Sequence, residues 1–260
     1  MSDQEPEKKV EPPLIILKNI HKAFNGQDIL NGVNLEVNQG ETLVIIGGSG
    51  TGKSVTLKHI VRILTPDKGQ VFVDGIEVSK PMKSSKIAEY RRKIGYLFQS
   101  GALINWLNVY DNIALPLREN TTLSEKEIKA KVDEKLNLLE LEQAVRKFPS
   151  EISGGMKKRA GMARAIIANP KILLYDEPTS GLDPIMSANI NQMVNLMKKE
   201  LSVTQIMVTH DMNSAYAVAD KIAMLYKGNI IFYGTPDEIK QSQDERIQHF
   251  IQGIPSKIEI

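Results

Sequence analysis

The sequence predicts an α/β fold built on a mixed sheet, with a β-rich edge and one inserted helical segment. Three observations carry this reading. The apolar run 43–46 is followed by a glycine-rich loop and a helical stretch at 55–63, the strand–loop–helix unit of a parallel sheet. The runs 171–175 and 205–209 are apolar and end on the polar pairs Asp176-Glu177 and His210-Asp211, as strands buried on both faces do. Between that first unit and these two runs, residues 100–169 read as mostly helical.

Taken in order, residues 1–13 are polar, with Glu, Lys and three prolines, and are expected to form a disordered leader. Residues 14–20 and 28–37 read as strands joined through an Asn25-Gly26 turn. Phe24 beside that turn fits either core packing or a platform for a stacked base. Residues 70–73 and 76–78 flank Asp74-Gly75, a hairpin signal. A short charged helix at 84–93 precedes a strand at 94–98 that ends at Gln99. Ser124 and Glu127 form a capping-box pattern, followed by Ile128, Val132, Leu136 and Leu139 at helical spacing. Pro184 opens a helix with Met186, Ile190, Met193, Val194 and Met197 on one face, the methionines serving as core filler. Residues 222–226 and 230–233 flank Lys227-Gly228-Asn229 as a last hairpin, and Thr235-Pro236 opens a helix. The expected organisation is a core of 14–99 and 170–240, an insert of 100–169 and a C-terminal extension of 241–260.

The chain has 260 residues, 42% hydrophobic and 25% charged, enough for one large domain or a core with a subdomain. A net charge of +2 gives no argument for a nucleic-acid partner. The absence of cysteine excludes disulfides, thiol chemistry and Cys-held clusters, and fits a reducing compartment. No apolar run approaches the ~18–20 residues that span a bilayer. The leader lacks the apolar stretch of a signal peptide, so a cytoplasmic protein is expected.

The chemistry centres on Gly47-Gly48-Ser49-Gly50-Thr51-Gly52-Lys53-Ser54, a full match to the phosphate-loop pattern G-x-x-x-x-G-K-[ST]. Its glycines let the backbone turn tightly and approach phosphates. Loop amides and the helix N-terminus supply donors to the anion. Lys53 adds a point charge, and the Ser54 hydroxyl is placed to ligate Mg²⁺. Asp176, at the end of an apolar strand, is positioned for Mg²⁺, and Glu177 to orient or deprotonate an attacking water. Ser153-Gly154-Gly155 opens another helix and makes a second donor-rich anion site. Lys157, Lys158 and Arg159 in its first turn oppose the helix dipole; either an anion offsets them, or they form a solvated basic face or a surface for something acidic. Gln99 offers a neutral amide to Mg²⁺ or water, and His210 a donor or acceptor near the γ-phosphate end of a nucleotide. His59 reads as packing or surface, and Arg118, Arg146 and Arg164 receive no role.

These motifs, in this order with Ser180-Gly181-Leu182-Asp183, resemble the ATP-binding cassette (ABC) ATPases from about Leu14 to Gly234. The resemblance implies an ABC nucleotide-binding domain: a P-loop ATPase core with a β-rich edge subdomain and an inserted α-helical subdomain. It implies adenine stacking on Phe24, a Q-loop at Gln99, a signature motif at Ile152-Ser153-Gly154-Gly155-Met156, a D-loop ending at Asp183 and a switch histidine at His210. The signature usually ends in Gln, which adds a polar contact near the phosphates or ribose that Met156 leaves open. Ser153-Gly154-Gly155-Met156-Lys157-Lys158-Arg159, with Phe98–Leu103 and Asn108–Arg118, makes the chain similar to the MlaF/Mkl/Ttg2A branch. The C-terminal stretch Arg246–Gly253, with Phe250 and Ile251, is also similar to that branch, whose tail helps pair the two ATPases.

The resemblance implies hydrolysis of ATP with Mg²⁺ by a homodimer, the Ser153 helix of one copy closing over ATP held by Lys53 of the other. It implies an MlaE-type permease met through the helical subdomain, an MCE-domain lipid-binding protein, phospholipid as cargo, and a place on the cytoplasmic face of the bacterial inner membrane. The rival from another class is a soluble cassette ATPase of DNA repair, translation or cluster assembly, of which the first two fit less well. Residues 100–152 leave no room for a long coiled coil, and one phosphate loop is present. An amino-acid or metal importer subunit is opposed only by Met156 and the 100–117 segment. Leu103, Trp106 and Leu107 are expected to help form a groove for a short permease helix.

Overall fold

The computed structural model describes residues 12–254. Most of the expected leader, residues 1–11, and the end of the expected extension, 255–260, lie outside the described residues. Strands β1 (Ile15–Phe24) and β2 (Gln27–Val37) form a hairpin in which Phe24 pairs with Gln27. The turn residues Asn25 and Gly26 both have positive φ, as a tight two-residue hairpin requires. β3 (Thr42–Ile46) leads through the glycine loop into α1 (Lys53–Ile60). β4 (Lys68–Val73) and β5 (Ile76–Glu77) flank Asp74-Gly75, and α2 (Ser84–Arg92) precedes β6 (Ile94–Leu97). Three helices follow: α3 (Val109–Asn120), α4 (Glu125–Leu138) with its Ser124 capping box, and α5 (Gly154–Ile166). β7 (Ile172–Asp176), α6 (Pro184–Leu201), β8 (Thr204–Thr209) and α7 (Met212–Val218) return to the sheet. The hairpin β9 (Lys221–Tyr226) and β10 (Asn229–Gly234), then α8 (Pro236–Lys240) and α9 (Glu245–Ile251), complete the described chain.

The strands form two sheets. One is antiparallel, in the order β2-β1-β4-β5. The other runs β10-β9-β3-β8-β7-β6, parallel from β9 to β6 and antiparallel only at β10. The central strands are buried on both faces, and alternation assigns each residue to a layer. Leu43, Ile45, Leu174, Ile206 and Val208 join α1 and the antiparallel sheet in one core. Val44, Ile46, Leu173, Tyr175 and Met207 join α3–α7 in the other.

Two of the boundaries that differ from the sequence reading have a visible cause. β1 runs on to Phe24 because its polar second half keeps pairing with β2 as far as Phe24 opposite Gln27, with His21 also opposite Lys68 of β4. α1 begins at Lys53 because Gly52, at φ +104°, ends the loop there. A side chain at 52 would also press on Leu30 Cδ2 at 2.7 Å, which explains why Gly stands there.

Candidate functional site

Because β3, β6, β7 and β8 are parallel, their C-terminal ends share one edge, where open α/β sheets build their sites. Ile46 lies opposite Thr209, Asp176 opposite Val208, and Leu97 opposite Tyr175. Residues 47–54, Gln99, Asp176-Glu177 and His210 therefore converge, although these four segments lie far apart in sequence. In the loop, Gly47 is buried and Gly48, Ser49 and Gly50 are exposed. A Cβ at Gly47 would sit 2.3 Å from the Leu225 carbonyl, whereas one at Gly50 would meet nothing within 4 Å. The loop is seated on β9 and open at its tip.

Lys53 is buried and folds back under the loop, donating to the carbonyls of Gly47 (2.8 Å) and Gly48 (2.9 Å), with Glu177 Oε1 at 3.6 Å. Burial pushes its pKa down, while the charges of Glu177 and then Asp176 oppose that shift. Ser54 Oγ donates to Asp176 Oδ1 at 2.7 Å, and the Tyr96 hydroxyl donates to Oδ2 at 3.0 Å. Burial raises the Tyr96 pKa, and Asp176 raises it further, so Tyr96 stays a neutral donor. Glu177 carries φ +50°, a left-handed conformation that costs a non-glycine residue on the order of 1 kcal/mol and clusters at functional sites. Its Oε2 lies 2.6 Å from His210 Nδ1. The Gln99 amide donates to Ser180 Oγ at 3.4 Å. Thr51 stays within the loop, its hydroxyl donating to the Gly48 carbonyl.

Other expected residues lie outside this cluster. Phe24 is exposed at the β1–β2 turn, with Lys22 Nζ 5.4 Å from its ring centre. Ser153 caps α5, accepting from the Met156 amide at 3.3 Å. Among the described residues no hydrogen bond or ion pair joins 153–156 to 47–54. Gly154 and Gly155 instead face Leu182 and Met186, and a Cβ at 155 would meet the Met186 methyl. The Asp183 carboxylate caps α6 through the Met186 amide at 2.9 Å.

Three polar side chains that the sequence reading passed over hold residues 99–108. Lys158, read above as part of a solvated basic face, is buried and donates to the Gln99 and Glu177 carbonyls. Arg164 donates to the carbonyls of Gly101 (2.9 Å) and Ala102 (2.8 Å). Asn112, fully buried, accepts from the Ile104 amide and donates to the carbonyls of Ile104, Leu107 and Asn108. Leu103, Trp106 and Leu107 are the residues expected to help form an apolar groove. Leu103 packs on the core, and Trp106 stands 80% exposed. A groove of about 890 Å³ does open nearby, but Ala102 and Ile104 line it instead of those three.

Comparison with known proteins decides the family. The family model described as "ABC transporter" matches residues 30–180. The chain belongs to the ABC transporter family. It is 40% identical over 239 residues to a probable ribonucleotide transport ATP-binding protein, mkl, of Mycobacterium leprae, covering 92% of this chain and 69% of that one. The chain spans only 66% of the mkl protein of Mycobacterium tuberculosis. It is 37% identical over 240 residues to the intermembrane phospholipid transport system ATP-binding protein MlaF of Haemophilus influenzae, covering 92% of this chain and 90% of that one. The solved dimer of an ATP-binding cassette in a post-hydrolysis state, bound to ADP and Pi, superposes with a TM-score of 0.79 at 33% identity, covering 85% of this chain and 98% of the other.

As an ABC ATPase the chain binds ATP with Mg²⁺ and hydrolyses it in the service of transport. The residues present fit both groups. An open loop tip, exposed amides and a buried ammonium suit a polyphosphate. The Ser54 hydroxyl and a single carboxylate, Asp176, suit Mg²⁺, which takes few protein ligands and completes its shell with phosphate and water. Accordingly, no cluster of three or more acidic, His or Cys side chains able to hold a metal occurs among the described residues.

Proposed function

We propose that this ABC ATPase powers phospholipid trafficking as a homodimer on the cytoplasmic face of the bacterial inner membrane. Its partners are an MlaE-type permease and an MCE-domain lipid-binding protein. The observation that carries the reading is the 37% identity to MlaF, which extends over 90% of that protein. The name of the mkl relatives favours a second cargo, ribonucleotide, at 40% identity over a smaller share of their length.

ATP lies along residues 47–54, its adenine on Phe24 and its phosphates on the loop amides and Lys53. Ser54, Asp176 and Gln99 would hold Mg²⁺, and the ion would supply positive charge to offset that of the phosphates. Glu177 takes the proton of the attacking water, and His210 holds the Glu177 carboxylate through Oε2. A second copy supplies Ser153, Gly154, Gly155, Met156 and Asp183 to complete the site. The lack of any bond between 153–156 and 47–54 within one chain supports that sharing. The dimeric arrangement of the solved cassette supports it as well. The extension 241–260 adds to the pairing.

The helical subdomain 100–169 meets the permease. The groove between α2, α3 and α5, lined by Arg91, Arg92, Phe98, Leu117, Leu123 and Arg164, accepts a short permease helix. No described helix is long and apolar enough to cross a membrane, so the permease supplies the membrane attachment. The test is to purify the protein with its partners from detergent-solubilised membranes, identify them, and reconstitute the complex in liposomes. ATP-dependent transfer of a fluorescent phospholipid is expected. Recovery of an amino-acid or metal permease, or uptake of ribonucleotide without lipid transfer, contradicts the reading.

A further inference from the structure

The ammonium of Lys158 occupies an unusual place. It lies one turn into α5, 5% exposed, and its partners are main-chain carbonyl oxygens rather than a carboxylate. One is the carbonyl of Gln99, and the other, at 3.1 Å, is that of Glu177. A buried cation is tolerated only where its donors are satisfied, so these bonds fix its position. Burial pushes its pKa down, and the charges of Glu177 and then Asp176 act against that. Glu177 itself sits at φ +50°, a conformation that persists only where its surroundings hold it. Lys158 thus bridges three pieces of chain far apart in sequence: the signature helix, the loop after β6 and the main chain of Glu177 after β7.

We propose that Lys158 is a positioning residue for hydrolysis. It ties the backbone of Glu177 and Gln99 to the start of α5, so that a shift of α5 moves both. The proposal rests on the reading of Glu177 as the group that takes the water's proton. A bond at the carbonyl of 177 sets the direction of its side chain, and a displacement of about 1 Å at a reacting group can cost roughly 10²-fold in rate. The bond at Gln99 makes the same ammonium sense where α5 stands relative to the loop that faces the helical part of the protein.

The test uses the full-length protein, with ATP affinity by equilibrium titration and hydrolysis in a single turnover. Lys158→Met keeps length and apolar volume and removes all donors. It is expected to hold ATP affinity within about 3-fold and to lower the single-turnover rate by about 10²-fold. Lys158→Arg, which restores charge and donors, is expected to recover most of that loss. Combined with Glu177→Gln, Lys158→Met is expected to add little, because the two act as a unit. If Lys158→Met does not fold, Lys158→Gln, which keeps a neutral donor, takes its place in the same comparisons. Full turnover in the Lys158 variant beside a dead Glu177→Gln protein overturns the proposal, as do multiplicative losses in the double variant. An active Glu177→Gln protein instead overturns the underlying reading of Glu177.

Discussion

The imidazole Nδ1 of His210 lies 2.6 Å from Oε2 of Glu177. The other oxygen of that carboxylate faces the Lys53 ammonium at 3.6 Å. The carboxylate is therefore engaged at both oxygens. Glu177→Gln keeps the shape of the side chain and one accepting oxygen, turns the other into a donor, and removes its charge and basicity. It is expected to retain ATP affinity and lose turnover by a factor on the order of 10²–10⁴. Steady-state phosphate release beside an equilibrium ATP titration checks this, and near-normal release contradicts the role.

Much of this site is legible in the sequence, for a physical reason. Loops that cradle phosphate need glycines and a lysine at fixed spacing, and buried parallel strands are unbroken apolar runs that end where the site begins. The runs before Gly47, Asp176 and His210 carry that signal. Lys158, Arg164, Asn112 and Tyr96 do not, because each acts on a backbone carbonyl or a carboxylate brought near only by the folded sheet and helices. A lysine beside Lys157 and Arg159 looks like a basic surface until the helix is rotated into place. Trp106, expected with Leu103 and Leu107 to help form a groove for a partner, stands outward from a loop held by the Asn112 and Arg164 bonds.

Tyr96→Phe removes one of the two donors to Asp176. A hydrogen bond to a charged group contributes about 1.5–3 kcal/mol, so a fall in stability of that order is expected. Because Asp176 is also the proposed Mg²⁺ ligand, the Mg²⁺ concentration needed for half-maximal hydrolysis is expected to change as well. Urea unfolding and a Mg²⁺ titration measure the two effects, and an unchanged midpoint in both contradicts the bond.

His59 is buried on α1, its Nδ1 2.7 Å from the Val55 carbonyl. Burial pushes its pKa below the ordinary 6.5, a shift the Val55 bond only partly opposes. The unfolded chain then takes up a proton more readily than the folded one. The stability this confers is present above pH 6.5 and is lost as pH falls from there toward the folded-state value, with a slope of up to about 1.4 kcal/mol per pH unit. His59→Gln is expected to flatten the acid limb of the stability profile between pH 7.5 and about 5.5. An identical slope in the two proteins contradicts the assignment.

Trp106 makes a different prediction from a core tryptophan. At 80% exposure, Trp106→Ala is expected to change stability by no more than about 0.5 kcal/mol. A defect confined to permease-dependent stimulation of hydrolysis would place the ring at the partner surface. A collapse of the melting temperature contradicts its exposure.

The sharing of each ATP site between two chains is tested most directly with mixed dimers carrying Lys53→Ala and Ser153→Arg. With one lesion on each chain, a shared arrangement gathers both lesions into one site and leaves the other intact. With both lesions on one chain beside an unaltered partner, both sites are damaged. Single-turnover hydrolysis is the measurement, because steady-state cycling depends on both sites. The account predicts one competent site in the first dimer and none in the second. A competent site in the second dimer, with none in the first, contradicts it.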